Sequence, residues 1–277
     1  MKRSNNFVKF LTIALAIGMM LPSFALADEK PFVALGQDLK AEETNTVLSL
    51  FDIDDITDCN VVYITNADEH KYLGGYIPAS EIGSKALSSV MIEENDDSEI
   101  DVEIHNINYC TEGMYKNALA TAGVSGAEVI VAAPYPISGT AALVGTIKAY
   151  EQMTGEEVSD EVIEGCVDEI TTTGEIGEEV GDKGAIEEIV ADIKSQIAEN
   201  PNMSDAEIVQ AIKDAADRVG ISLSDDQIAK LKDLITNLKG LDIDWDNVKK
   251  QSLDIFNKVK ASGLLDKIID WIKSLFN

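Results

Sequence analysis

A mixed α/β domain followed by an all-α helical domain is the fold class that the sequence predicts, and three observations carry it. Short β-rich runs alternate with helical stretches between residues 28 and 155. From residue 156 onward the apolar residues fall at helical spacing, as in Ile186, Ile189, Val190, Ile193 and Ile197, with no convincing strand. Ser204 with Glu207 and Ser224 with Gln227 form capping boxes, in which each side chain satisfies an orphan N–H of the first turn. The boundaries are 1–27 for a leader, 28–155 for the α/β domain and 156–277 for a helical bundle.

The leader opens with Lys2, Arg3 and Lys9, continues through an apolar run from Phe10 to Leu21, and ends in Ala25-Leu26-Ala27. Small residues at the two positions read by signal peptidase mark a secretory signal peptide cut between Ala27 and Asp28. The apolar run is too short for a comfortable membrane span. The protein is therefore expected to be secreted or held at the cell surface.

In the α/β part, Phe32 to Leu35 reads as a strand closed by Gly36, and Asp38 to Phe51 as a helix. Asn60 to Ile64 is β-rich and ends at Thr65-Asn66, good helix N-caps. A short helix runs to Tyr72. Leu87 to Ile92 and Ile100 to Ile107 flank an acidic turn, a pattern that predicts a hairpin. Thr111 caps a helix through Ala122. Ala127 to Ala132 is a continuous apolar strand that Pro134 and Pro136 break, and Ser138-Gly139-Thr140 opens a helix to Met153. Beyond it, helix starts are visible at Ser159, Ser204, Ser224 and Asp244 or Asp246, and Asn200-Pro201 and Gly220 end two helices between them. The last segment is the most amphipathic. Leu264, Ile268, Ile272 and Phe276 share a face bordered by Trp271, which suits docking on the bundle or, alternatively, contact with a membrane surface.

The net charge is −28, and removal of 1–27 takes away three basic and no acidic residues, leaving −31. Such a charge disfavours nucleic acid as a partner. Arg218 is the single arginine after the leader, so recognition of phosphate or carboxylate by arginine forks is disfavoured as well. Residues 157–192 carry 13 acidic groups against Lys183, whereas 229–277 carry nine lysines against seven aspartates. Cys59, Cys110 and Cys166 make an odd set. Cys166 lies on an apolar helix face, and Cys59 with Cys110 is the pair to expect if any disulfide forms.

Catalytic signatures are absent. His70 and His105 lie in no zinc-binding spacing, Gly-x-Ser-x-Gly does not occur, and nothing in the spacing sets Ser138 beside His105 and Asp101. No catalytic residue, cofactor or resident metal is assigned. The run Asp242-Ile243-Asp244-Trp245-Asp246-Asn247 lacks the glycine and the bidentate glutamate of a calcium loop, and helix capping explains it better. The dense turns at Asp52–Asp58 and Glu93–Glu99 read as solvated. The most informative constellation is neutral. If the strands at 60–64, 100–107 and 127–132 run parallel, one edge collects Thr65, Asn66, Asn106, Asn108, Thr111, Ser138, Gly139 and Thr140. Each strand is followed by a helix N-terminus, and open α/β sheets place ligands at that edge. The same residues would serve equally as plain helix caps.

Met114 to Gly123 (MYKNALATAG), Val131-Ala132-Ala133-Pro134, Ser138 to Leu143 (SGTAAL) and Lys148-Ala149-Tyr150-Glu151 resemble the YpuA-like family of exported Gram-positive bacterial proteins. The resemblance runs from about Val33 to the C-terminus, and 114–151 is its specific part. It implies a protein of the secreted or cell-surface class and a domain of unknown function, and supplies no activity or site residue. The expected function is a non-enzymatic binding or interaction protein of the cell envelope or exterior. Its ligand would be a small neutral molecule at the sheet edge, or its partner a protein on the helical part. The alternatives are an envelope hydrolase working through carboxylates and a membrane-surface protein held by the last helix.

Overall fold

The computed structural model describes residues 30–77, 82, 84–95 and 98–261, the side chains of 256–261 excepted. The leader and the amphipathic stretch from Leu264 to Phe276 lie outside the described residues. Five strands and nine α-helices are described: β1 (Phe32–Gly36), α1 (Ala41–Leu50), β2 (Asn60–Ile64), α2 (Asn66–Leu73), β3 (Ser89–Glu94), β4 (Ile100–Ile107), α3 (Glu112–Thr121), β5 (Ala127–Ile137), α4 (Thr140–Thr154), α5 (Asp160–Val180), α6 (Lys183–Glu199), α7 (Asp205–Val219), α8 (Asp225–Lys239) and α9 (Trp245–Ala261). None of the described helices is long and apolar enough to cross a membrane.

The strands form one mixed sheet in the order β2-β1-β3-β5-β4. β1 is parallel to β2 and β4 to β5, while β3 runs against both of its neighbours. β2, β4 and β5 therefore point the same way and their carboxyl ends share an edge, as anticipated. The predicted hairpin does not form. β3 and β4 run in opposite directions, but β5 lies between them. The gap is two strand spacings, roughly 10 Å, which the connection from Glu94 to Ile100 reaches easily at about 3.3 Å per residue. A short polar turn between antiparallel strands is the same signal whether or not a third strand inserts.

Nor do the prolines end β5. Pairing with β3 stops at Ala132, so the strand beyond has a free side on which a missing N–H costs nothing. Its other side keeps β4, with Ile137 opposite Ile107 after a register shift. Asn106 takes a left-handed φ of 59° at that shift, and its Nδ2 donates to the Ala133 carbonyl at 2.8 Å.

Side chains alternate across the sheet and split into two apolar layers. Val33, Leu35, Met91 and Ala132 pack under Val47 and Phe51 beside α1. Ala34, Val90, Ile92, Val129 and Val131 face α3 and α4, and this core continues into Val162, Ile163, Cys166, Val167 and Ile170 of α5. Ile176 of the same helix belongs to a second core with α6, α7 and α8. α5 thus runs through both cores. Cys59 packs in the α1 layer and Cys110 in the opposite one, so the sheet separates the expected pair, and all three cysteines are free thiols.

Helix caps fall where the chemistry of the sequence puts them. Ser159, Ser204 and Ser224 accept from the N–H groups of Val162, Glu207 and Gln227. Asp244 caps α9 by accepting from Asp246 and Asn247 at 3.0 Å. One start was not foreseen. Gly181, at φ +76°, ends α5, and Asp182 caps α6 by accepting from Ala185 at 2.9 Å.

The strongest polar tie lies where α3, α5 and α6 meet. Lys194 and Glu169 pair at 2.7 Å with side chains 0% and 1% exposed. Lys194 also donates to Thr121 Oγ1 and the Asn117 carbonyl, each at 2.7 Å, and Thr121 donates to Glu169 at 2.6 Å. All three ammonium protons are thereby used. Lys194→Met should cost about 3–5 kcal/mol in urea denaturation, because Glu169 is left buried and uncompensated. Lys194→Met with Glu169→Leu should recover most of that loss; equal instability of the single and double variants would contradict it.

Candidate functional site

Of the three helices that begin at the carboxyl edge, two are closed by their own side chains. Thr65 and Asp68 form a capping box on α2, and Asn66 donates to Glu69 at 2.9 Å. Thr111 accepts from Met114 N–H at 3.2 Å and donates to the Glu187 carboxylate. α4 differs. Its cap is Gly139, at φ +89°, which offers no side chain to the first turn. A Cβ at position 139 would lie 2.6 Å from both Ile107 and the Tyr115 hydroxyl, which donates to the Gly139 carbonyl at 2.5 Å. Only glycine satisfies both the backbone and the space there.

Beside the start of α4 lies a cleft of about 710 Å³. Ser138 and Thr140 line it from the sheet edge, with their hydroxyls 3.5 Å apart. Gly75, Tyr76 and Ile77, which follow α2, form one side. The opposite side comes from the second half of the chain: Asp168, Thr171, Thr172 and Glu175 of α5, and Lys230, Asp233 and Asn237 of α8. The eight residues anticipated at the edge are therefore not gathered into one site. Thr65, Asn66, Asn106, Asn108, Thr111 and Gly139 are not in the lining; the first three, Thr111 and Gly139 are engaged as described above, and Asn108 holds the Ile137 carbonyl through its backbone N–H at 2.9 Å. His105 pairs with Glu103 at 3.1 Å and does not line the cleft.

Tyr109 completes the wall, and α6 fixes it there. Lys183 donates to the Tyr109 carbonyl at 2.7 Å and sits 4.2 Å from its ring centroid. The ring edge lies against Gly174 of α5, where a Cβ would come within 2.4 Å of the hydroxyl. The electrostatics of the cleft are mostly negative. Burial raises the Asp168 carboxyl above its ordinary 3.8, although Thr172 and Asn237 bond to it. Burial, then Asp168 and Glu164, raise the Tyr76 hydroxyl. Lys230 reaches Glu175 at 2.9 Å. Among the described residues no group of three or more His, Cys, Asp or Glu is placed to hold a metal ion.

What sequence reasoning missed here is the α5 and α8 side, which only tertiary packing brings to the sheet. One signal was available: Thr171-Thr172-Thr173 is a run of β-branched polar residues inside a helix, where such residues are poor helix formers.

The molecule is thus a mixed-sheet α/β protein with a helical bundle packed on its α2, α3 and α4 helices and a polar cleft at the junction. Residues 35–255 match the family described as "Protein of unknown function (DUF1002)", and the chain belongs to that family. It is 38% identical over 272 residues to "Uncharacterized protein YpuA" of Bacillus subtilis (strain 168), covering 94% of this chain and 92% of that one. No solved structure matches it.

Behind the cleft, Glu187 of α6 closes the N-terminus of α3, and burial pushes its carboxyl from 4.5 to about 7. An acid raised on folding binds more protons in the folded state, so its contribution is full below the unfolded value and fades as pH rises through the folded one. Urea midpoints should fall between about pH 5 and pH 8, and Glu187→Gln should flatten part of that fall. An unchanged slope in the variant would contradict this assignment.

Proposed function

We propose that this is an exported, non-enzymatic binding protein whose cleft at the start of α4 takes a small polar ligand. The observation that carries the reading is the start of α4, capped by a glycine, with the hydroxyl residues Ser138 and Thr140 lining a cleft of about 710 Å³. Hydroxyl, amide or carbonyl groups of a ligand suit that end. Asp168, Glu175 and Asp233 across the cleft favour a ligand that also carries an amine, and Tyr76 and Tyr109 offer flat faces to its carbon skeleton. An amino sugar or a short amine-bearing peptide of the cell envelope combines these features, which moves the reading from a strictly neutral ligand to one with a positive group. Hydrolysis would need two carboxylates on facing walls with separated affinities for protons. The two glutamates raised to about 7, Glu69 and Glu187, sit on different helices and line no part of the cleft.

A thermal-shift screen of amino sugars, diamino acids and short peptides tests the site. A ligand at a hundred times its Kd adds about 2.7 kcal/mol. Thr140→Val and Asp168→Asn should each abolish the shift. No shift with any of these probes, or a shift that survives both substitutions, overturns the proposal. Export has its own test: the protein recovered from medium or cell envelope should begin at Asp28 on N-terminal sequencing. A chain that stays in the cytosol with its leader intact would refute it.

A further inference from the structure

The two edges of the sheet are treated differently. β4 is guarded. Gln251 of α9 accepts from Ile100 N–H at 3.1 Å and donates to the Ser98 carbonyl at 2.6 Å, closing the start of that edge. The register shift at Asn106 breaks its far end, and Asp101 and Glu103 place charge along it. Bulges, charges and covering elements are the usual means of stopping an edge from pairing.

Among the described residues β2 has none of these. It contains no proline, lysine or bulge, and no described strand lies beyond it. Asn60 N–H bonds to the Pro31 carbonyl and the Ile64 carbonyl accepts from Gln37, both at 2.9 Å, so residues 60, 62 and 64 face β1. Peptide groups alternate in direction along a strand, and Val61 and Tyr63 therefore turn their N–H and C=O groups outward. The Tyr63 side chain is 58% exposed. Alongside runs an open groove of about 600 Å³, formed by Val62 and Tyr63 together with Lys148, Glu151, Gln152 and the turn Gly155-Glu156-Glu157 at the end of α4.

The charges around the groove indicate the occupant. Lys148 is held by Asp68 at 2.6 Å, and Glu151 accepts from Val158 N–H at 2.8 Å. Glu156 and Glu157 of the groove are exposed, as are Asp54, Asp55 and Asp58 of the loop that precedes β2, where Lys30 donates to the Thr57 carbonyl at 2.7 Å. A second copy of this chain, carrying the same net charge of −28, would be repelled on approach. We propose that β2 is a docking edge for an extended, lysine- or arginine-bearing segment of another protein. The segment adds as a sixth strand, bonds to the outward peptide groups of Val61 and Tyr63, and places its basic side chains toward Glu156 and Glu157. This site is separate from the α4 cleft and does not rest on it.

The test uses the full chain and two fluorescent synthetic peptides, one alternating lysine with valine and the other glutamate with valine. The lysine peptide should bind and the glutamate peptide should not. Tyr63→Pro removes one outward N–H and leaves every bond to β1, so affinity should fall about tenfold or more with the melting temperature nearly unchanged. Glu156→Gln with Glu157→Gln should weaken the lysine peptide selectively. Hydrogen exchange on the unmodified protein keeps the test decisive if Tyr63→Pro does not fold: the Val61 and Tyr63 amides should slow when the lysine peptide is present. No binding at millimolar peptide overturns the proposal. So does binding that leaves both amides unprotected, which would be general attraction of a polycation to an acidic protein.

Discussion

A buried lysine in a chain of net charge −28 is the constraint on which the arrangement depends. Lys194 is fully enclosed, and its desolvation is offset only because Glu169, Thr121 and the Asn117 carbonyl all reach it at 2.7 Å. Those groups sit on α3 and α5, and the lysine itself on α6. The pair therefore sets the rotation of α5 about its own axis as well as the distance between helices. Successive residues of a helix point about 100° apart. With Glu169 turned inward, Asp168 faces the cleft, and Thr172, one turn further on, donates to its carboxylate at 3.1 Å. What the cleft presents to a ligand is thus a consequence of where one ion pair is buried.

Local chemistry was legible in the sequence, and long-range order was not. The capping boxes at Ser204 and Ser224, the Thr65 and Thr111 caps and the strand at Asn60–Ile64 depend on neighbours within a few residues, and all are present. The common edge of β2, β4 and β5 followed from the alternation of strands and helices. The insertion of β5 between β3 and β4 could not be read, because an alternating strand such as Ile100-Asp101-Val102-Glu103-Ile104 fits a parallel edge as well as a hairpin. Proline breaks a strand only where both sides are paired, and residue 134 gives no local hint that its β3 side is free. The cleft suffered most. More than half its lining comes from helices over 25 residues away in the chain, and most of the predicted edge residues are consumed by capping and ladder repair.

The junction between sheet and helices is built with few arginines to draw on. Gln251 spans Ser98 and Ile100, Asn247 Nδ2 donates to the Val124 carbonyl at 2.8 Å, and Asn117 Nδ2 donates to the Glu187 carbonyl at 3.1 Å. Amides carry both a donor and an acceptor and add no charge to desolvate. Lysines appear at this junction where a carboxylate or carbonyl meets them: Lys116 against Asp254, Lys183 against Tyr109, Lys194 against Glu169. Neutral bonds of this kind are insensitive to salt, whereas an acidic chain held by exposed ion pairs would loosen or tighten with ionic strength.

The same economy of positive charge leaves both surface features rich in carboxylates. Once Lys116, Lys183 and Lys194 are engaged internally, few cations remain near the carboxylates of α5 and the end of α4. Lys230 stands among the acidic groups of the cleft, within reach of Glu175, Glu179 and Asp226 at 2.9, 3.8 and 3.6 Å, and Lys183 reaches Glu178 at 3.2 Å. A cationic group arriving there would meet Asp168, whose raised pKa reflects desolvation that a bound amine offsets directly. At the β2 edge the field comes from exposed carboxylates in water, where it steers approach more than it adds affinity. Cleft and edge thus use one charge imbalance in two dielectric settings. A ligand in the cleft would be chosen by the position of a single positive group, whereas a segment at the exposed edge would depend on peptide hydrogen bonds for strength and on charge for selection.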